Sequence, residues 1–420
     1  EIEADDYVLL QAAQLDAGGD ITISSGGDLD ITSAETQSFW NDRVARIRSR
    51  SGATHSTPTE LKAAGAVRLQ SALNTQLTGT RVYAGGDVTV EAGGDINLAP
   101  ALETSSVWTQ YTGRKTSVKQ TLNNMTHSMA AIRAGGQLSV VAGDDVNIEA
   151  TELLSAGDMI ISAGEHIRIA EANDVREHFY ERRKSRKWGR RSLRTAETVT
   201  TTPVISEITA GNNLLITAGV SDDAPGDLYL TGAAVNAGGD ILMRADGDVV
   251  LNTARQVYQA HSEHRANSGH GAFLSSANFN AKTKGSSDTH RVLNVSSHIH
   301  AGGRLDIEAR RNLILQAAQL KAEDDLSLSA VTGRLALLIA IDIDNFSEHS
   351  ESSSATWQSV NGRGHQHETN LMTQLQSNSD IQLIAQGVDL EISGADGQSL
   401  SKRQWLNAAI DQLANEDANF

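Results

Sequence analysis

Nine Lys or Arg fall within the nineteen residues from Arg176 to Arg194, interleaved with Phe179, Tyr180 and Trp188. Cations beside aromatic rings suit the boundary between water and an anionic lipid or lipopolysaccharide surface, where the charges meet headgroups and the rings enter the interface. The residues expected to make that contact are Arg182, Arg183, Lys184, Arg186, Lys187, Trp188, Arg190 and Arg191. The plainer alternative is a solvated loop tip kept soluble by its charge. Nucleic acid is disfavoured as a partner, because a chain of net charge −17 would repel the rest of the strand.

Two other residue types could carry chemistry. Histidines gather late in the chain: His261, His264, His270, His290, His298 and His300, then His349, His365 and His367. His298 with His300, or His365 with His367, would share one face of a strand, as a metal pair or a protonation switch requires, although exposed polar side chains account for them equally. Acids pair at Asp5-Asp6, Asp144-Asp145, Asp222-Asp223 and Asp324-Asp325, while Asp342 and Asp344 alternate along one stretch. A β-helical polysaccharide-cleaving enzyme would need such carboxylates in a groove. Here most sit at turn positions of a repeat, which argues for turn chemistry. No nucleophile, zinc, phosphate-loop or dinucleotide motif occurs, nor the Gly-Gly-x-Gly-x-Asp spacing of calcium-binding repeats. The expectation is a non-enzyme without cofactor or resident metal.

The elements that position these residues repeat. Ala17-Gly18-Gly19-Asp20 is answered by Ser25-Gly26-Gly27-Asp28, and Ala84-Gly85-Gly86-Asp87 by Ala92-Gly93-Gly94-Asp95. Similar pairs start at Ala134, Ala237 and, more loosely, Ala301, and Leu10–Leu15 is echoed by Leu315–Leu320. After each turn comes strict alternation, as in Ile21 and Ile23, Leu29 and Ile31, Val88 and Val90. Period two places these residues on one strand face. Strands of about five residues joined by short corners do not form a run of hairpins; each instead pairs with its equivalent one coil above, about 4.8 Å away. The fold class is therefore all-β, a right-handed parallel β-helix. Aromatics at 4% and 36 glycines agree with narrow coils filled by Val, Ile, Leu and Ala. The run from Leu335 to Ile341 is too short to span a bilayer and reads as a buried strand.

Longer excursions interrupt the rhythm, near 35–82, 103–132, 173–208, 255–299 and 345–380. Four return to the coil with an apolar residue two before an alanine: Val82, Ile132, Ile208 and Ile299. Their return legs alternate, so they are expected to be long projecting β-hairpins, stacked where adjacent. Runs such as Ser350–Ser354 are locally loop-like and leave unfolded loops as the other reading. The β-helix is expected over 1–398. From 399 to 420, Trp405, Leu406, Ala409, Ile410 and Leu413 fall on one helical stripe, with Ser399 or Ser401 as N-cap, predicting a short α-helix that caps the last coil or leads to a following domain.

These Ala-Gly-Gly-Asp strands and Ser/Thr-rich excursions resemble the haemagglutinin repeats of two-partner-secreted filamentous proteins of Gram-negative bacteria. The stretch Arg182–Trp188, followed by Thr198–Thr202 and a return into Ala210-Gly211-Asn212-Asn213, is similar to the second repeat region of contact-dependent growth inhibition effectors. Gln404–Phe420 resembles the boundary before their toxin-bearing part. The resemblance implies a fibre segment exported through an outer-membrane transporter, displayed on the cell surface, engaging the outer membrane of a target cell and aiding delivery of a C-terminal toxin in the same chain. An adhesin stalk binding host glycans or receptors is the alternative. The absence of cysteine fits a chain that crosses membranes unfolded, and equally a reducing compartment. With Glu1 first and no signal peptide, the sequence reads as a piece of something longer.

Overall fold

Alternation of two apolar residues per strand, with a sharp corner every few residues, produces a coil of three short strands. The computed structural model describes residues 1–186, 190–220, 225–267, 281–354, 357–386, 391–393 and 399–400. Within them each coil contributes one strand to each of three parallel sheets. Ile21–Ser25, Leu29–Thr32 and Gln14–Ala17 exemplify the first, second and third sheet. Among the described residues the first sheet has eleven strands. A bare coil advances the chain by 21 residues, as the pairs Ile2 with Ile23 and Val146 with Ile167 show. Ile23, Leu69, Val90, Val140, Ile161, Ile216 and Met243 stack in register through the first sheet, all buried. Leu335–Leu338 is a buried strand of the second sheet.

The Asp and Asn side chains at the corners form a second ladder. Asn74 N–H donates to Asp28 Oδ1 at 3.0 Å, Asp95 N–H to Asn74 Oδ1 at 2.9 Å, and Asp145 N–H to Asp95 Oδ1 at 3.0 Å. The corner acid accepts the backbone N–H of the coil above, which no strand pairing would satisfy. That use accounts for Asp145 and Asp325 of the paired acids, the latter accepting from Asp380 N–H. Asp222-Asp223 lies outside the described residues.

The corner between second and third sheets alternates between two solutions. In one coil it closes tightly through Ala12, Gly79, Ala150, Gly232 or Ala317, all left-handed with φ between 40° and 58°. In the next it opens into a hairpin that begins with Ala34, Ala101, Ala172, Ala254 or Ala340. The two positions touch: a Cβ at Gly79 would lie 2.5 Å from that of Ala101, and one at Gly232 would lie 2.4 Å from that of Ala254. Hydroxyls clamp four of the five hairpin bases. Thr59 donates to Thr32 O at 2.6 Å, Ser206 to Ala170 O at 2.8 Å, Ser297 to Asn252 O at 2.9 Å and Thr373 to Leu338 O at 3.1 Å.

The five hairpins comprise Ala34–Val44 with Ile47–Thr57, Ala101–Thr112 with Thr116–Ser128, Ala172–Ser185 with Arg191–Val204, Ala254–Asn267 with Lys282–Val295, and Ala340–Ser353 with Gln358–Leu371. They do more than stack. Each pairs edge to edge with the next, giving one antiparallel sheet of ten strands. At about 3.4 Å per residue, a fourteen-residue leg reaches about 45 Å from the coil.

Two expectations need correction. The excursion expected over 35–82 ends at Thr57, and the chain then completes a coil through Glu60–Ala63, Val67–Ser71 and Thr75–Thr78 before reaching Val82. That coil escaped notice because its corners read Ala64-Gly65-Ala66 and Ala72-Leu73-Asn74, without Gly-Gly-Asp. The return assigned to Val82 therefore belongs to Leu61. Secondly, Ser399, a proposed helix N-cap, lies in a strand, Ser399–Leu400, that pairs antiparallel with Ile392 and Ser393. The remainder of the expected helix, 401–420, lies outside the described residues.

Candidate functional site

Charge divides sharply between coil and hairpins. The spans 34–57, 101–128, 172–204, 254–295 and 340–371 hold 22 of the 35 Lys and Arg but 14 of the 52 Asp and Glu, leaving +8 there and −25 elsewhere. The first four hairpins are net positive, and the fifth, with five acids against Arg363, is net negative. At the outer ends of the second to fifth hairpins an open groove of about 740 Å³ is lined by Arg114, Lys115, Arg183, Lys184, Arg191 and Lys284, among others. The basic patch therefore extends beyond the third hairpin on both sides.

Strand register assigns each cation to a face, because directly paired residues project to the same side of a sheet. Arg183 and Arg191 share one face. There Arg183 meets Glu181 at 2.9 Å, Arg265 bonds Glu263, and Arg50 lies over the Trp108 ring at 5.9 Å. Two of the cations on this side are thus matched by acids, and Arg43, Arg48, Lys119, Arg191, Lys282 and Lys284 share the same face.

Arg182 and Lys184 project to the opposite face. The pairing row through Arg182 runs Val44, Ile47, Tyr111, Val118, Arg182, Arg194 and His264. Four apolar or aromatic residues thus lead into two arginines. Val44 is 62% exposed, Ile47 45% and Tyr111 37%; Trp40 and Val107, also exposed, lie four residues further down the same face. Arg182, Lys184 and Arg194 have no carboxylate partner among the described residues. Arg182, together with burial and with Arg186 and Arg194, lowers the proton affinity of the Lys184 ammonium below the ordinary lysine range. Like charges held this close are unfavourable without a counter-charge.

Of the other expected residues, Arg186 donates its N–H to Arg190 O at 2.8 Å, closing the turn, and Arg191 opens the return strand. Lys187 and Trp188 lie outside the described residues. Arg114, Lys115, Arg194 and the apolar row were missed. Only the hairpin register brings them together, and they come from three hairpins.

Among the described residues the histidines do not converge on one centre. His261 Nδ1 lies 2.5 Å from Asp288, His300 Nε2 lies 3.3 Å from Glu323, and His365 stacks on Phe346 with centroids 5.6 Å apart. His270 lies outside the described residues. Asp342 accepts from Asn294 N–H, and Asp344 pairs with Arg291 at 3.0 Å. A three-ligand grouping does occur at a coil corner, where Asp145, Glu165 and His166 bring ligand atoms within 4.8 Å of one another. His166 there occupies a rung of the Asp/Asn ladder: its N–H donates to Asp145 Oδ1 and its Nδ1 accepts from Asp227 N–H at 3.0 Å.

Two haemagglutinin-repeat models match this chain, one over residues 45–113, 109–190 and 188–355, the other over 5–33. The chain belongs to the haemagglutinin-repeat family. Among curated proteins it is similar to the tRNA nuclease CdiA-2 of Burkholderia pseudomallei strain 1026b, at 22% identity over 78% of this chain and 11% of that one. It is also similar to the tRNA nuclease CdiA of Escherichia coli strain STEC_O31, at 23% identity over 59% of this chain and 7% of that one. The haemagglutinin-repeat chain thus spans about a tenth of the relatives it matches. No solved structure matches it. It is a parallel β-helical stalk of the filamentous haemagglutinin and CdiA type.

Proposed function

We propose that this stalk is a non-catalytic display segment whose hairpin sheet engages the anionic outer membrane of a target cell and aids delivery of a C-terminal toxin. The observation that carries membrane engagement is the charge division, +8 on the hairpins against −25 elsewhere. A sheet that projects about 45 Å carries its cations clear of an acidic rod that would otherwise be repelled by the same surface. Exposed Trp40, Val44, Ile47 and Tyr111 beside those cations supply the apolar insertion that turns attraction into binding. Delivery is supported by the relatives, which are named as tRNA nucleases and of which this repeat region is a small fraction. Membership in the family supports export through an outer-membrane two-partner transporter and residence on the surface of a Gram-negative cell. A non-catalytic role is supported by corner acids such as Asp28, Asp95, Asp145 and Asp325, whose carboxylates accept backbone N–H groups in the ladder.

Vesicle co-sedimentation across a salt series tests the reading. Anionic vesicles should retain the chain and zwitterionic ones should not, with retention falling as salt rises. Joint neutralisation of Arg182, Arg183, Arg186 and Arg190 should abolish it; retention unchanged by that neutralisation would remove the basic hairpin from the account. Binding to a glycan array without vesicle binding would favour the adhesin reading, for which the exposed aromatics Phe39 and Trp357 are suited to stacking on sugar rings.

A further inference from the structure

We infer that Arg182, Lys184 and Arg194 form a discrete clamp for a phosphate monoester on one face of the third hairpin, with His264 at its side. The inference rests on the reading above, in which the hairpin sheet meets an anionic surface, and it names the chemical group recognised there.

Arg182 and Arg194 are directly paired across the two legs of the hairpin, so their Cβ atoms stand about 5 Å apart and their side chains leave the same face. Lys184 is two residues beyond Arg182 on the same strand and shares that face. His264 is the direct partner of Arg194 on the adjoining leg, and its Nδ1 is buried without a hydrogen-bond partner. Four nitrogen-bearing side chains thus surround one patch.

The nearest acids on this face are remote. Glu348 lies one row inward, three strands from Arg194, and is itself bonded to Arg363; Asp42 lies one row inward, four strands from Arg182. At about 4.8 Å per strand, both are beyond the screening length of about 8 Å at physiological salt. Placing two arginines opposite each other is unfavourable without an anion, and the neighbouring guanidinium groups already weaken Lys184's hold on its proton. A monoester dianion matches three cations better than a diester monoanion, and its three terminal oxygens can accept from two planar forks and one ammonium. On the opposite face Glu181 and Glu263 take up Arg183 and Arg265, Glu351 stands directly opposite Lys284, and Asn267 separates Arg191 from Lys282.

Two sources could present this group: a lipid headgroup or soluble phosphate. The full chain would be titrated with vesicles containing phosphatidic acid, with vesicles containing phosphatidylglycerol at equal charge, and with inorganic phosphate monitored by the side-chain N–H resonances of arginine. Arg194→Gln should weaken phosphatidic acid binding about ten-fold, as loss of a charge-assisted pair implies. Arg194→Lys should also weaken it, since it keeps the charge and loses the fork. Arg191→Gln, on the other face, should cost less than Arg194→Gln, as one charge in a diffuse attraction, and circular dichroism would establish that each variant keeps its β signal. Equal losses from Arg194→Gln and Arg191→Gln, with Arg194→Lys unaffected, would overturn the clamp and leave a diffuse membrane attraction standing. Phosphate-induced shifts lost in Arg194→Gln, without binding to either vesicle, would uphold the clamp, assign it to soluble phosphate and sink the membrane reading. Silence in all three titrations would end both.

Discussion

The coil and the hairpin sheet are built from the same extended backbone, yet they satisfy it in opposite ways. In the coil, side chains at every second position disappear into a continuous apolar interior, and strands pair parallel with partners 21 residues away, or farther along the chain where a hairpin intervenes. In the hairpin sheet, both faces meet solvent, pairing is antiparallel, and little beyond the base is buried. The coil cannot vary without losing its ladder. Because hairpins enter at one corner of every second coil, they can lengthen from 11 to 14 residues per leg and change charge while the coil is undisturbed. Stability resides in the first region, and recognition is free to reside in the second.

That separation breaks most visibly if core substitutions spare the hairpins or hairpin substitutions unfold the coil. Leu153→Ala, at a fully buried position of the third sheet, should cost about 2–5 kcal/mol in chemical denaturation. The largest local effect after that belongs to Gly79→Ala. Alanine holds the same left-handed corner at Ala12, Ala150 and Ala317, so the cost at Gly79 comes chiefly from the added methyl meeting the Ala101 Cβ at 2.5 Å, and this overpacking should amount to about 1–3 kcal/mol. A variant of wild-type stability would mean that the tight corner and the hairpin base are not in contact in solution.

The hairpin sheet should answer differently. Replacing Val44 and Ile47 together by Ser should leave the denaturation midpoint almost unchanged, because both are exposed, while lowering vesicle affinity by about ten-fold or more. The loss should persist at high salt, where the contribution of Arg182 and Arg194 is screened. If instead the double variant unfolds early and still binds, the apolar row is a structural seam and the comparison fails at its recognition side.

Much of the coil was legible because each strand carries its own instruction: Ile21 and Ile23 or Val88 and Val90 reveal a face without knowledge of any partner. The coil from Glu60 to Thr78 shows the limit. Its buried Leu61, Val67, Leu69 and Leu77 obey the pattern, but with Gly65 alone at one corner and Asn74 at another, the punctuation that marks a coil was missing. The third hairpin's basic composition was visible, since its cations are contiguous. Its division into two faces was not. Arg183 and Arg182 differ by one residue and point to opposite sides, where one meets Glu181 and the other continues a row from Val44, 138 residues earlier. Such a row depends on register between hairpins, which composition does not encode.

The smallest expected effect lies where the two regions join. Glu171 leaves the second-sheet strand Ile167–Ala170 immediately before the third hairpin, and burial raises its carboxyl above the usual glutamate range, with Glu149 adding to the effect and Arg168 partly opposing it. A carboxyl that holds its proton more tightly in the folded chain than in the unfolded one favours folding below the ordinary glutamate range, and that contribution is lost as pH rises through the folded value. At neutral pH the charged form is therefore a small liability at the junction. Glu171→Gln should raise the thermal midpoint slightly at pH 7, and the gain should shrink to nothing as the pH falls below the ordinary glutamate range. A gain that is the same at both pH values would trace to packing of the amide, and a loss at pH 7 would show that the carboxylate is bonding Asn173 or Arg168 strongly enough to overcome its burial.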